Sequence, residues 1–436
     1  MKTKASISNY LVIVFLMIAF SNSTYSQVLS ERKLISDYKY FICDIIDGDI
    51  NRAIQMSLNE LKKDSANADI DYTLCISYAQ KKDTNKSIQY FKSALKKGLP
   101  FEQFLAGPRQ LLKPLYSTYY FQEYLLKNPV ELLQGPMLGV VTSKSAKFWI
   151  RTYNEVSFEI RVFKNNDKSR KIVSSSIGIT SVNNDYTGIA TVIGLNPDMA
   201  YSYQLIINNK IVDIKPQPVF RTYPVEFSKN NFQVVFGGGS SFNPKYETMW
   251  DTILSHKPLA FLSLGDFTYF NIADVPDHQK YIYYRRESRS EFRRLAASTP
   301  MYFIYDDHDF GGNDCIGGPE IDMPAWKNNV VFKIFTENTV NPSYGSDNHP
   351  GCWHKILIGD VEFFMLDGRY YRTDPKSKDS LYIDKNAKYP SMLGSSQKKW
   401  LFDAVKKSKA LFKIIVSPVH GRMVQSQANC IRLTED

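Results

Sequence analysis

Met301-Tyr302-Phe303-Ile304-Tyr305-Asp306-Asp307-His308-Asp309-Phe310-Gly311-Gly312-Asn313-Asp314 is the stretch on which the reading of this 436-residue chain turns. Its first five residues form an apolar run of strand length, rich in aromatic residues. The nine that follow hold four carboxylates, a histidine and an amide, a grouping whose mutual repulsion is costly unless cations or arginines neutralise it. A metal site is the simplest explanation. Its position directly after a strand suits an open α/β sheet, in which ligands gather at the carboxyl ends of the strands.

Similar runs lie on either side, at 232–236, 259–264, 361–366 and 412–416, separated by helical patterns such as 288–297 and 396–406. The residues after each run carry the chemistry. After Leu264 comes Gly265-Asp266-Phe267-Thr268-Tyr269, in which the glycine permits a sharp turn and Asp266 offers a hard oxygen ligand. After Leu366 comes Asp367-Gly368-Arg369-Tyr370-Tyr371-Arg372. Its two guanidiniums suit either a phosphate gripped through paired hydrogen bonds or structural ion pairs with nearby carboxylates.

Taken in order, Phe-Gly-Gly-Gly-Ser (236–240), Leu-Gly-Asp-Phe-Thr-Tyr (264–269), the 305–314 stretch, Leu-Asp-Gly-Arg-Tyr-Tyr-Arg (366–372) and Met-Leu-Gly-Ser-Ser-Gln-Lys-Lys-Trp-Leu (392–401) resemble the PhoD-like alkaline phosphatase/phosphodiesterase family of metallophosphatases. The resemblance runs from about Gly135 to His420, with 135–221 similar to that family's N-terminal β-sandwich. It implies two metal ions, Fe³⁺ and Ca²⁺, with Asp266 bridging them, Tyr269 on the iron and Asn313 on the calcium-like ion. It also makes His308 and Asp307 candidates for proton transfer beside the cluster, and Arg369 and Arg372 candidates for holding the substrate phosphate. Phenolate and carboxylate oxygens suit Fe³⁺, and hard oxygens suit Ca²⁺.

Two departures accompany the matches. Gly239 stands where the family usually has a cysteine ligand, and Ser240 beside it ionises far less readily than a thiol. The Gly237-Gly238-Gly239 run could instead cradle phosphate, yet no Lys-Ser/Thr follows it as a P-loop requires. The family's closing Gly-Asp-x-His motif is also missing before Asp436. The expectation is therefore a C-terminally truncated α/β domain whose sheet edge must be hidden in some other way, with His420 a weak candidate ligand.

The rest of the chain supplies context. Lys2 and Lys4, the apolar 11–20 and the polar residues through Ser26 have the layout of a signal peptide over 1–26, with no later membrane span. This places the mature chain outside the cytoplasm, in the periplasm or the extracellular medium. Residues 27–130 read as helical, with 71–99 spaced like a tetratricopeptide repeat and a turn at Lys81-Lys82-Asp83. Such helices serve either as a cap on the next domain or as a groove for a protein partner. Period-two alternation over 131–224 marks a fibronectin-like antiparallel β-sandwich, and 225–436 is the metallophosphatase-like α/β domain. The fold class is thus multidomain α+β.

Hydrophobic residues at 43% and charged residues at 22% exclude a disordered, collagen-like or coiled-coil chain. The 54 basic against 44 acidic residues, net +10, suit an anionic substrate without identifying a nucleic acid partner. The cysteines, at 43, 75, 315, 352 and 430, lack CxxC spacing, and Cys315 with Cys352 could be paired or free. Two functions are in view. One is an exported two-metal phosphatase or phosphodiesterase acting on phosphate mono- or diesters. The other is a non-catalytic phosphatase-like protein behind a helical partner-binding module.

Overall fold

The computed structural model describes residues 11–13, 38–346, 348–374 and 390–419. The first described strand is β1 (Leu11–Ile13); the remainder of the expected leader lies outside the described residues. Helices α1 (Phe41–Ile46), α2 (Ile50–Lys63), α3 (Ala68–Gln80), α4 (Thr84–Lys96), α5 (Phe101–Ala106), α6 (Arg109–Tyr116) and α7 (Tyr119–Lys127) follow. Local chemistry starts several of them. The side chains of Asp49, Asn67, Asp83 and Thr118 each accept a backbone N–H of the first turn, of Arg52, Asp69, Lys86 and Phe121 respectively. The α3–α4 turn falls at Lys81–Asp83, with Lys82 in the left-handed region at φ 61°.

Eight antiparallel strands come next: β2 (Gln134–Gly139), β3 (Ser145–Arg151), β4 (Ser157–Lys164), β5 (Ile172–Ile179), β6 (Thr187–Ile193), β7 (Ala200–Ile207), β8 (Lys210–Ile211) and β9 (Val219–Arg221). They form two sheets, β2-β3-β6 and β5-β4-β7-β8, with β9 added against β7. Alternation along β4 buries Phe158, Ile160 and Val162 while Glu159 and Arg161 face outward. Phe148 of β3 meets Tyr203 of β7 at 4.6 Å between ring centroids, closing the sandwich.

The remaining elements are β10 (Val234–Gly237), α8 (Met249–Ser255), β11 (Ala260–Ser263), α9 (Pro276–Glu287), α10 (Ser290–Ser298), β12 (Met301–Phe303), α11 (Asp307–Phe310), α12 (Lys333–Glu337), β13 (Gly345–Ser346), β14 (His349–Pro350), β15 (His354–Ile358), β16 (Val361–Met365), α13 (Gly394–Lys407) and β17 (Phe412–Val416). Strands β10-β11-β12 are parallel. A second, mixed sheet has the order β1-β17-β16-β15, with β15 antiparallel and the others parallel. Each strand expected in this region is present, shortened by one or two residues at five of the ten ends and extended by one at the end of β10.

Helix α9 joins the three regions. Its buried residues run from His278 through Glu287 with only Lys280 less covered. Toward the N-terminal helices, Tyr281 stacks on Tyr72 at 5.5 Å and Arg285 pairs with Asp69 at 3.3 Å, with Arg289 reaching the other Asp69 oxygen at 3.1 Å. Toward the sandwich, Glu287 pairs with Arg151 at 2.8 Å. A helix covered all round has no apolar stripe, so its sequence gave no periodic signal. Cys75, Cys315 and Cys352 are free thiols, so Cys315 and Cys352 are not paired with each other, and Cys430 and His420 lie outside the described residues. Among the described residues no helix is long and apolar enough to cross a membrane.

Candidate active site

The turns after β10, β11, β12 and β16 converge at one end of the parallel sheet. Glycine makes the approach close. A Cβ on Gly265, whose φ is +101°, would lie 2.6 Å from the Asp306 side chain, so no other residue fits there without displacing the acidic stretch. The first two turns are joined by backbone bonds from Gly239 N to Gly265 O (3.2 Å) and from Ser240 N to Asp266 O (3.0 Å). Asp309 then pins the β11 turn by accepting Phe267 N (3.1 Å), Thr268 N (2.6 Å) and Thr268 Oγ1 (2.7 Å). Within that turn Asp266, Tyr269 and Asn271 all have left-handed backbone, at φ 53°, 53° and 58°. Such conformations persist in non-glycine residues when surrounding bonds over-determine them, and they concentrate at functional sites.

Ligand-type atoms of Asp266, Asp307 and His308 all lie within 4.8 Å of one another. Tyr269 Oη donates to Asp266 Oδ2 at 3.1 Å, and its ring stacks on His308 at 4.7 Å. The other Asp266 oxygen, Oδ1, is buried and has no hydrogen-bond partner among the described residues. Burial and then the charges of Asp309, Asp306 and Asp307 push the Asp266 carboxyl up to about 8. Burial likewise pushes the Tyr269 hydroxyl well above its usual range. A carboxylate this disfavoured, with an orphaned oxygen beside an imidazole, a phenol and a second carboxylate, is a donor set that a cation fits.

Arg369 is buried behind this cluster. Its Nε donates to Asp306 Oδ1 at 2.6 Å, its Nη1 to the Cys315 carbonyl at 3.2 Å, and its Nη2 lies 3.8 Å from Asp307 Oδ2. Burial would raise the Asp307 carboxyl, but Arg369 and the Asp314 backbone N–H (2.7 Å) outweigh it and hold it below its usual value. These bonds make Arg369 a charge-balancing group. Arg372 is half-buried, with its backbone bonded to Arg369 O and Gly318 N. Asn313 is exposed, and its amide donates to Asp314 at 3.2 Å. A Cβ built on Gly239 would meet Tyr269 Oη at 3.6 Å, so that position faces the cluster.

Asn271 escaped the sequence reading. Its Oδ1 lies 2.5 Å from His308 Nδ1, and its Nδ2 bonds the Tyr40 hydroxyl. A lone asparagine beyond a motif gives no signal of its own, and its partner is 231 positions away. Arg286 was missed for the same reason; it donates to Ser240 Oγ at 3.3 Å and to the Ser240 carbonyl.

Comparisons with known proteins agree with the motif reading. Residues 234–432 match the PhoD-like phosphatase family, and residues 129–225 match a domain of unknown function, DUF7800. Among solved structures, one reported as the structure of PhoD aligns over 64% of this chain and 60% of its own length, at 18% identity and TM-score 0.52. It supports the multidomain α+β fold, and this chain spans under two thirds of that protein. A purple acid phosphatase from yellow lupin (Lupinus luteus) seeds aligns over 65% of this chain and 51% of its own, at 13% identity and TM-score 0.44, which adds nothing to the fold assignment. No curated protein sequence matches the chain.

Proposed function

We propose that this chain, whose residues 234–432 carry the PhoD-like phosphatase domain, is an exported metal-dependent hydrolase of phosphate mono- or diesters. The observation that carries the reading is the orphaned, buried Asp266 Oδ1 among Asp307, His308 and Tyr269. Asp266, Tyr269, His308 and Asp307 would hold the cations, with Asn313 at the outer edge, and Fe³⁺ and Ca²⁺ are the pair the family resemblance suggests. Bound cations in such a site neutralise phosphoryl charge and acidify a water.

The protein's own groups divide the remaining work. Arg369 balances the Asp306 and Asp307 charges, so the acidic stretch tolerates burial when a phosphate enters. Whichever of the Asp307 carboxylate, held ionised, and the His308 imidazole is left off the cations would accept and return a proton. Arg372 at the rim is the candidate contact for the ester's non-bridging oxygens. The net charge of +10 favours approach of an anionic ester.

The test uses the full chain, loaded with iron and calcium and then analysed for metal content and for hydrolysis of a chromogenic diester and monoester. About two metals per chain with metal-dependent turnover is expected, and Asp266→Asn should lose both. A metal-free protein, inert toward both esters after loading, would favour the second reading, a non-catalytic phosphatase-like protein. Gly239, which offers no donor at a position facing Tyr269, is the observation on that side. The docking of α3 on α9 supports a cap over a partner groove for the N-terminal helices.

A further inference from the structure

Tyr40, at the start of the N-terminal helices, reaches the candidate site. Tyr40 precedes α1, is buried at 7% exposure, and packs its ring against His278 at 5.3 Å between centroids. His278 is itself held by the Phe270 carbonyl at 3.0 Å, next to Asn271 in sequence. The Tyr40 hydroxyl donates to the Tyr269 carbonyl at 3.5 Å and accepts from Asn271 Nδ2. Asn271 Oδ1 faces His308 Nδ1 at 2.5 Å, and Asn271 N donates to the His308 carbonyl at 3.4 Å.

These bonds have a direction. A side-chain amide can sit either way round, because its oxygen and nitrogen are nearly the same size. The Tyr269 carbonyl, 3.5 Å away, is the acceptor the structure gives the Tyr40 proton, so the hydroxyl offers a lone pair and the Asn271 NH₂ group faces it. The amide oxygen then faces His308, which must carry its proton on Nδ1. Reversing the amide would place NH₂ against Nδ1 and force the proton onto Nε2.

We propose that Tyr40 and Asn271 are positioning residues that together set the tautomer of His308, keeping the proton on Nδ1 and leaving Nε2 as the nitrogen with a free lone pair. The helical segment, which lies outside the family match of 234–432, thereby contributes to the site. An imidazole can join Asp266 and Asp307 around a cation only through an unprotonated nitrogen, and the partner on its other nitrogen decides which one that is. That consequence rests on the cation reading above, whereas the tautomer itself does not.

The test is nitrogen NMR of the metal-free full chain labelled with ¹⁵N-histidine, at a pH where the imidazole is neutral. The His308 signals are assigned by their loss in His308→Asn. The wild type should show the Nδ1–H form. Tyr40→Phe keeps the ring and removes the hydroxyl, and it should give a mixture of the two tautomers with about 10-fold weaker binding of iron. Adding Asn271→Asp to that variant should restore both readouts, because a carboxylate accepts from Nδ1 whichever way it turns and, like asparagine, tolerates left-handed backbone. Asn271→Gly, which also suits φ 58°, provides a second route should Tyr40→Phe fold poorly. It should abolish the single-tautomer signature. An Nε2–H wild type, or an Nδ1–H signature unchanged in Tyr40→Phe or in Asn271→Gly, overturns the proposal. A wild type with the expected tautomer but no metal and no hydrolysis overturns the hydrolase reading and leaves this one standing.

Discussion

Gly239 is the single residue at which this chain departs most from what its site needs. Its φ of +69° is a conformation that costs a side chain roughly 1–2 kcal/mol. The space beside it is nonetheless open to a side chain, with Tyr269 Oη at ordinary contact distance. Gly239→Cys should therefore fold, with a lowered melting temperature, and should bind iron more tightly than the wild type through a thiolate. The check is a visible thiolate-to-iron charge-transfer band, present on titration with Fe³⁺ and missing in Gly239→Ser; a Cys variant without that band would mean position 239 does not face the cation. Asp266, Tyr269, Asp307 and His308 were legible because each follows a strand within a compact motif. Arg369 was legible as a cation, but its attachment to Asp306 depends on a fold that joins positions 63 apart. Asn271 and Tyr40 left no trace, because a hydrogen bond across 231 positions has no pattern in a sequence.

At the scale of elements, α9 is a sizeable helix that periodicity missed, and its charges do the joining. Burial alone would push the Asp69 carboxyl up, yet Arg285 and Arg289 hold it below its usual value. A carboxylate with a depressed folded pKa adds stability that is present above its unfolded pKa, about 3.9, and is lost as the pH falls through the folded value. Asp69→Asn keeps the shape and removes the charge, leaving Arg285 buried at 1% side-chain exposure without its counter-ion. It should cost about 3–5 kcal/mol in urea unfolding at neutral pH, and the deficit should shrink as the pH falls below the unfolded pKa. A loss under 1 kcal/mol would mean that α3 and α9 are not locked through this pair. The strands were easier to read, because the apolar runs of β11, β12 and β16 are buried and bounded by glycine or aspartate.

For the whole molecule, length and texture read as a series of modules, but packing makes them one body. A single buried cluster runs from Ile42 and Phe104 through Phe148 and Tyr203 to Tyr281, Phe303 and Met365. Chains of several domains often unfold in several steps. This one should give a single calorimetric endotherm for helices, sandwich and α/β region together, and two resolved transitions would contradict it. Sequence texture exposes the period of each module but not which faces meet, since contact between modules is fixed by side chains far apart in the chain. The site inherits this continuity. Its β11 turn is gripped by Asp309 on one side and by Tyr40 on the other, with three residues already held in left-handed backbone. Donors fixed in this way cannot draw in around a small ion or spread for a large one, so the centre would sort cations by radius as strictly as by charge.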